Sequence, residues 1–541
     1  MAVEKQAVFV GGVPWLEPGD PTVAKTSADI CRGFLIVPFS EGIVTCDECK
    51  DPLPLVARWT DRDRRAWAKY ELPRGESRLS QSSVYYSLPG TIETLTREVP
   101  LGAGISRSKL DEELELEEAV PNTHYAKIRD HIDHHTDFIN DLYDSVRTKR
   151  YYWEGNCGGL AIRSAYRTAI RWARSEDRDY ARLALIVKLA REISRTLSQV
   201  CEKPRVVLRR SREFQKISKI QEIDPACLRW LARQPGRDVY ERAGSRQQLL
   251  GIVRKEDTDT LENRVVKDLL HRARVESANY ISLCRDFKNH DRVKTVQRFR
   301  HLIIEWEKMS EIRNAQRITG PVQPNYVLLH ESKYRKLWDA YQLLLSQQKQ
   351  KDDIWKWRDR TFSESCEFGL LSLMRRYTKR TQFLRSDIAI RMESLTGKYV
   401  SSDTEFGMAR LKSSLSNSFF LFCRGGINAQ QCPFIPSEIL PLAADFFLLV
   451  HRAGKPSRIV PVWCLAEAEE SRFCEAIKLL EQKLSRISCF ESIFPLVLLY
   501  ENSTLERLFC SGRGRVANLV FPISKSIESL GSFIVQSLGM G

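Results

Sequence analysis

The sequence predicts an α+β multidomain protein with a β-rich N-terminal head, a helical middle and a C-terminal mixed α/β domain. Three observations carry that expectation. Over the first hundred residues, short apolar stretches alternate with Gly/Pro punctuation such as "GGVPWLEPGDP" and "LPGT". From about Pro121, apolar residues recur at three- and four-residue intervals, the period of a helix with one buried face. Beyond Thr381, short apolar runs flank a helical pattern. At about 150 residues per domain, a 541-residue chain leads one to expect roughly three to four units. The texture divides it at 1–120, 121–350 and 351–541.

In the head, the strand candidates are Ala7–Val10, Phe34–Phe39, Gly42–Thr45 and Ser83–Leu88. The acidic run Asp111–Glu118 reads as a solvated linker or helix start. The stretch from Asn156 to Leu197 reads as two helices broken near Ser175–Arg178, and Pro204 closes it. A second helical stretch, Thr260 to Gln316, is expected to break near Asn289–Asp291, with helices Lys333–Gln348 and Asp353–Thr378 following. In the tail, two strands flank the turn Ala453–Ser457. A helix (Glu467–Leu484), strands Pro495–Tyr500 and Val516–Pro522, and a final helix Ser524–Leu538 complete the expectation.

Composition narrows the function classes. Apolar runs such as "DFFLLVHR" from Asp445 fall well short of the roughly 20 residues a membrane span needs, so no membrane partner is expected. The first twenty residues lack a basic region followed by an apolar stretch, so no secretory signal is expected. Fourteen cysteines without framework spacing point to reduced thiols and a cytoplasmic location. Charge is unevenly shared. Residues 1–120 hold 14 Lys+Arg against 20 Asp+Glu, a net of −6, while the remainder holds 70 against 49, a net of +21. A basic body behind an acidic head suits a chain that meets a polyanion through one part only. The segment "KPRVVLRRSREFQKISK" concentrates that charge. Lys203, Arg205, Arg209, Arg210, Arg212, Lys216 and Lys219 stand against one acid there, so a DNA or RNA phosphate backbone is the expected partner. The other reading is a solvated strand pair. A second basic patch, His290–Trp306, reads mainly as the wet face of a helix.

Several segments, in order, resemble one bacterial family. "DTLENRVVKDLL" from Asp259 is similar to a D-T-x-E-N-R-F-V-K pattern in a bacterial domain family of unknown function that precedes a PD-(D/E)XK nuclease domain. Its motif residues here are Asp259, Glu262, Asn263 and Arg264. "IDPACLRWLARQPG" (Ile223–Gly236), "VLLHESKYRKLWDAYQLLL" (Val327–Leu345) and "FSESCEFGLLSLM" (Phe362–Met374) resemble flanking segments of the same family. These families neighbour McrC of modification-dependent restriction. The resemblance covers roughly residues 200–541. It implies a C-terminal PD-(D/E)XK-like domain, a role in restriction or anti-phage defence, and an AAA+ or helicase-like partner subunit. It leaves homo-oligomerisation open. The triplet Glu262–Arg264 offers no catalytic mechanism, so a buried polar network or a helix start is its expected job.

Such a site holds Mg²⁺ between carboxylates and sets a lysine near the attacking water. By the resemblance, Glu364 takes the place of the helix glutamate and Asp445 that of the first strand aspartate, as catalytic and metal-ligating residues. The next strand should carry acid-x-Lys, whose side chains share a face at a period of two. It reads "RIVPVWCLAE" instead, with Val460, Val462 and Trp463 in the way, Lys455 in the turn and Glu467 beyond. Pro461, lacking a donor, suits an edge or irregular strand. The expectation is an inactive nuclease-like domain that needs no cofactor. The alternatives are an active Mg²⁺-dependent nuclease using Glu364 and Asp445, and a protein–protein adaptor that binds no nucleic acid.

Other constellations are weaker. His131 and His135 share a helix face as zinc-binding pairs do, but Ile132 stands where a metalloprotease has glutamate, so a polar helix surface is expected. Cys46 and Cys49 have the spacing of half a zinc knuckle, with no second pair to complete it. "GNCGGL" from Gly155 and "CSGRGRVANL" from Cys510 both miss the phosphate-loop pattern, so any motor activity belongs to the partner.

Overall fold

The computed structural model describes residues 8–17, 20, 32–38, 43–46, 52–61, 63–74, 81–87, 94–100, 124–147, 160–161, 184–377, 381–386, 389–393, 397–401, 408–413, 418–452, 455–466, 470–500, 505–519 and 523–539. The chain forms two compact units, one from residues 1–178 and 348–541, the other from Asp179–Gln347. It is mixed α/β, with a β-rich N-terminal region and a helical middle.

The head strands are β1 (Val8–Gly12), β2 (Arg32–Pro38), β3 (Ile43–Cys46), β4 (Leu55–Thr60), β5 (Ala66–Leu72), β6 (Gln81–Ser87) and β7 (Thr94–Pro100). They form two antiparallel sheets, in the orders β1-β2-β5-β4 and β3-β6-β7. Strands β1, β2, β3 and β6 fall on the expected stretches. Strands β4, β5 and β7 lie outside the expected stretches, and "AWAKYEL" hides its strand because Lys69 and Glu71 look like solvent-facing polar positions. Both are buried. Helix α1 (His124–Arg147) follows, then the two-residue β8 (Leu160–Ala161), where a helix was expected. Pairing with a strand near residue 390 overrides the local helical pattern there. The rest of the first expected helix, the acidic run 111–118, the Gly155 string up to its last residue, Cys49 and Glu467 lie outside the described residues.

The second unit starts with α2 (Leu185–Glu202) and an antiparallel ribbon of β9 (Val207–Lys216) against β10 (Gln248–Asp257). Between the two strands lie α3 (Pro225–Ala232) and α4 (Val239–Arg242). Then come α5 (Leu261–Leu283), α6 (Asp291–Met309), α7 (Tyr326–His330) and α8 (Ser332–Lys356). The break between α5 and α6 falls at the expected place, whereas α8 runs past its expected end at Gln348. The apolar faces of α2, α5, α6 and α8 form one core around Leu197, Leu269, Val296 and Leu337. That burial is what holds amphipathic helices together in water.

Helix α9 (Arg358–Tyr377) opens the C-terminal part. Strands β11 (Thr381–Ser386), β12 (Ala389–Glu393), β13 (Gly397–Ser401), β14 (Met408–Ser413) and β15 (Ser418–Arg424) follow. Then come α10 (Ile427–Gln431), β16 (Phe446–Arg452), β17 (Lys455–Leu465), α11 (Glu470–Ser485), β18 (Leu496–Tyr500), β19 (Arg507–Phe509), β20 (Gly514–Leu519) and α12 (Ile523–Leu538). Eight strands make one sheet, β11-β14-β15-β16-β17-β18-β20-β19. It is antiparallel from β11 to β17 and parallel from β17 through β18 to β20. Helix α9 packs on β17. On the other face of the sheet, Ile459, Trp463 and Leu465 share a core with Leu480 of α11 and with Trp15, Leu16 and Ile36 of the head. Trp15 meets Trp463 edge-on at 5.7 Å and donates its indole N–H to Ala476 O at 2.8 Å.

Strand β17 is central, not at an edge. The Asp445 N–H donates to Val462 O, so residue 462 faces β16 and Pro461 turns its missing donor toward β18. On that side a parallel bridge joins Ile459 to Ile493, with the Phe494 N–H donating to Ile459 O at 2.8 Å, and the ladder to β18 resumes at Val462–Leu496, so Pro461 falls in the interruption between them. Gly425 is required for the same neighbourhood. Its N–H donates to Asp445 O at 2.8 Å, and a Cβ there would overlap the Ala444 carbonyl oxygen. Gly425→Ala is expected to cost about 1–3 kcal/mol through backbone displacement, read as a lowered thermal midpoint. An unchanged midpoint would contradict this close approach.

Candidate functional site

Asp445 opens β16 beside a buried group of charges. Its Oδ2 accepts the Cys464 N–H at 2.7 Å, and its side chain is 12% exposed. Arg32, from β2 in the head, is the cation of this group. Its Nε donates to Glu71 Oε1 at 2.8 Å, one terminal nitrogen lies 3.7 Å from Asp445 Oδ1, and the other donates to Cys464 O at 3.3 Å. Burial pushes the Asp445 carboxyl up to about 6, against the pull of the Arg32 charge. The helix carboxylate in this electrostatic neighbourhood is Asp359 of α9. It pairs with Arg74 and accepts the Ala466 N–H at 3.2 Å. Nearby, Lys69 of β5 is buried, donating to the carbonyls of Pro14 and Leu16, and burial brings its ammonium down to about 7.

These residues do not fit a magnesium site of the kind the resemblance implies. A hard cation needs several open oxygen ligands. Here Asp445 spends one oxygen on a backbone N–H, and a guanidinium stands by the other. The facing side chains of β17 are Val460, Val462 and Cys464, all fully buried. Lys455 merely opens that strand. Among the described residues, no group of three or more His, Cys, Asp or Glu is placed to hold a metal ion.

Glu364 faces a different neighbourhood. Its carboxylate lies 3.4 Å from His135 Nε2 and 3.9 Å from Arg360 Nε. Ser365 Oγ lies 2.9 Å from His135 Nδ1 and 3.1 Å from His131 Nε2. The histidines are thus buried against α9 instead of forming a wet helix surface. Burial holds both imidazoles neutral, His135 at about 3 and His131 well below its ordinary value. Asp133 on the same helix lies 3.5 Å from the buried ammonium of Lys351. The spacing of His131 and His135 could have signalled a shared partner, but nothing in the sequence pointed to Ser365.

The Asp259–Arg264 motif is a polar lock at the start of α5. Thr260 caps the helix by accepting the Asn263 N–H. Asn263 is fully buried and donates to the carbonyls of Arg205 and Thr258, both at 2.7 Å. Its Oδ1 accepts the Tyr334 hydroxyl at 3.1 Å, and that hydroxyl accepts the Arg205 N–H at 3.0 Å. Glu262 accepts from Arg205 at 2.7 Å and from Asn325 at 2.8 Å. Arg264 grips Asp259 with two hydrogen bonds, at 2.7 and 2.6 Å, which holds that carboxyl down at about 2.

The basic segment Lys203–Lys219 enters this lock and then becomes β9. Its arginines are engaged with carboxylates: Arg205 with Glu262, Arg209 with Asp257, Arg210 with Glu222 and Arg212 with Asp224. Lys203, Lys216 and Lys219 have no such partner among the described residues.

A family model described as a domain of unknown function (DUF2357) matches residues 132–341. The match takes in the Asp259–Arg264 lock and the basic segment and ends before α9. No curated protein and no solved structure matches the chain. No helix among the described residues is long and apolar enough to cross a membrane.

Proposed function

We propose that this chain is the nucleic-acid-binding component of a bacterial restriction or anti-phage defence system, carrying a PD-(D/E)XK-like domain that does not cleave. Its work is done beside an AAA+ or helicase-like subunit, which supplies the motor. Two features support the nuclease-like ancestry. A carboxylate-bearing helix, α9, packs on β17, the last of three neighbouring antiparallel strands β15, β16 and β17, and α11 and the parallel strand β18 follow. Asp445 also opens the middle strand of the three, where the resemblance puts the first strand acid.

The observation that carries the inactive reading is Arg32. A fixed guanidinium is bonded to Glu71 and stands 3.7 Å from Asp445, where a metal ion would have to sit, and apolar or thiol side chains fill the facing strand. The basic body of the chain supports phosphate binding, since surplus cations release counterions from a polyanion. The test incubates purified wild type and Asp445→Ala with labelled single- and double-stranded DNA and RNA in Mg²⁺ or Mn²⁺. Mobility shift without cleavage, the same in both proteins, is the expected result. Cleavage abolished by Asp445→Ala would make the chain an active nuclease and sink this reading. Absence of any shift would favour an adaptor instead.

A further inference from the structure

The chain from Asp224 to Gln247 leaves the ribbon, turns twice and returns, and we infer that this arch is the surface that grips the nucleic-acid backbone. The inference rests on the nucleic-acid reading above and assigns its contact to residues other than the ribbon arginines. Arg229, Arg233, Arg237 and Arg246 are exposed and Arg242 is half-buried. None of the five has a carboxylate partner among the described residues. Arg229 and Arg242 donate only to the backbone carbonyls of Pro225 and Gly236.

The acids of the arch are occupied elsewhere. Asp238 caps α4 by accepting the Glu241 N–H at 2.8 Å, and Glu241 accepts the Arg237 N–H at 2.7 Å. Asp224 caps α3 through the Ala226 and Cys227 N–H groups and holds Arg212 at 2.7 Å. The ribbon arginines therefore serve as ties. Arg212 anchors the first helix of the arch, while Arg210 and Arg254 converge on Glu222. A phosphate arriving at the ribbon must displace carboxylates, whereas one arriving at the arch meets guanidiniums that no carboxylate holds.

The arch has a fixed shape. Gly236 sits at φ +140°, and a Cβ there would overlap the Glu241 Cβ and the Arg242 nitrogen, so the turn closes tightly over α4. Tyr240 is 65% exposed and Leu228 54% exposed, set among the arginines. An exposed ring among unpaired guanidiniums offers stacking beside phosphate contacts, the combination that nucleic-acid grooves use.

The test compares three full-length proteins in binding titrations over a range of salt: wild type, the arch triple Arg229→Ala/Arg233→Ala/Arg237→Ala, and the ribbon double Arg209→Ala/Arg210→Ala. The arch triple is expected to bind at least about tenfold more weakly. Its plot of log affinity against log salt should be shallower by about 2–3, as three lost phosphate contacts require. The ribbon double should weaken binding far less. Arg246→Glu, a single exchange in a turn, gives the same direction should the triple fold poorly. Arch variants that bind as wild type does, or a ribbon double that loses more, would overturn the inference while leaving the functional reading intact. If wild type binds no nucleic acid at all, the functional reading itself falls and takes this assignment with it.

Discussion

Replacing Arg32 with methionine is expected to destabilise the unit that contains it by about 3–5 kcal/mol, because two carboxylates then lie buried with no cation between them. Arg32 and Glu71 side chains are only 3% and 6% exposed, so water cannot take over the neutralising role. The loss should depend on pH, and its sign is fixed. Burial already raises the Asp445 carboxyl to about 6, so the folded state binds that proton more tightly than the unfolded chain does. Its contribution is full below about pH 4 and is lost as the pH rises through about 6. Removing Arg32 pushes the carboxyl higher still. The deficit of Arg32→Met should therefore be largest near pH 8 and shrink toward pH 5, where the proton replaces the guanidinium. Adding Glu71→Gln and Asp445→Asn to Arg32→Met should restore much of the stability, since a buried pair replaced as a whole costs far less than one broken in half. Thermal midpoints of the variants across that pH range test the claim. A deficit independent of pH would show that Arg32 contributes packing and not charge.

Asn263 carries the second large effect. Asn263→Ala should cost about 1–3 kcal/mol, because the carbonyls of Arg205 and Thr258 and the Tyr334 hydroxyl lose their partner at a fully buried side chain. Asn263→Asp should be worse at neutral pH, since it aims a carboxylate at those two carbonyl oxygens. Tyr334→Phe removes one hydroxyl and should cost about 1 kcal/mol. Hydrogen exchange localises the effect: faster exchange at residues 203–216 and 258–264 is expected in Asn263→Ala. Unchanged exchange there would mean that the lock does not hold the ribbon.

What the sequence made legible follows periodicity. Helices α5 and α6 announce themselves through repeated apolar spacing, and strands β16 and β17 show as two runs of β-branched and aromatic residues, although β17 begins at Lys455, inside the expected turn. The illegible parts share one physical cause, which is partners distant in the chain. Lys69 and Glu71 look solvent-facing until Arg32 and the carbonyls of Pro14 and Leu16 are placed beside them. Strands β9 and β10 pair across the whole arch, with no hairpin turn to announce them. At the candidate site, Asp445 was visible as a strand-opening acid. The guanidinium that neutralises it comes from the opposite end of the chain, and no spacing rule connects the two. Glu364 was visible as a helix carboxylate, yet the helical period alone cannot decide which turn of α9 meets Asp445. Asp359 does.

The shared core of the head and the tail also sets an order of synthesis. Trp15 waits for Trp463 and Ala476, and Arg32 waits for Asp445, so the earliest strands leave the ribosome hundreds of residues before their partners exist. Among the described residues, the core of 179–347 is drawn from that stretch alone, so this unit can fold while the tail is still being translated. Until then the nascent head exposes apolar strand surface, and chaperone binding to the growing chain should concentrate there. A stop codon placed after the inserted unit would release a protein with one finished unit and one orphaned set of strands.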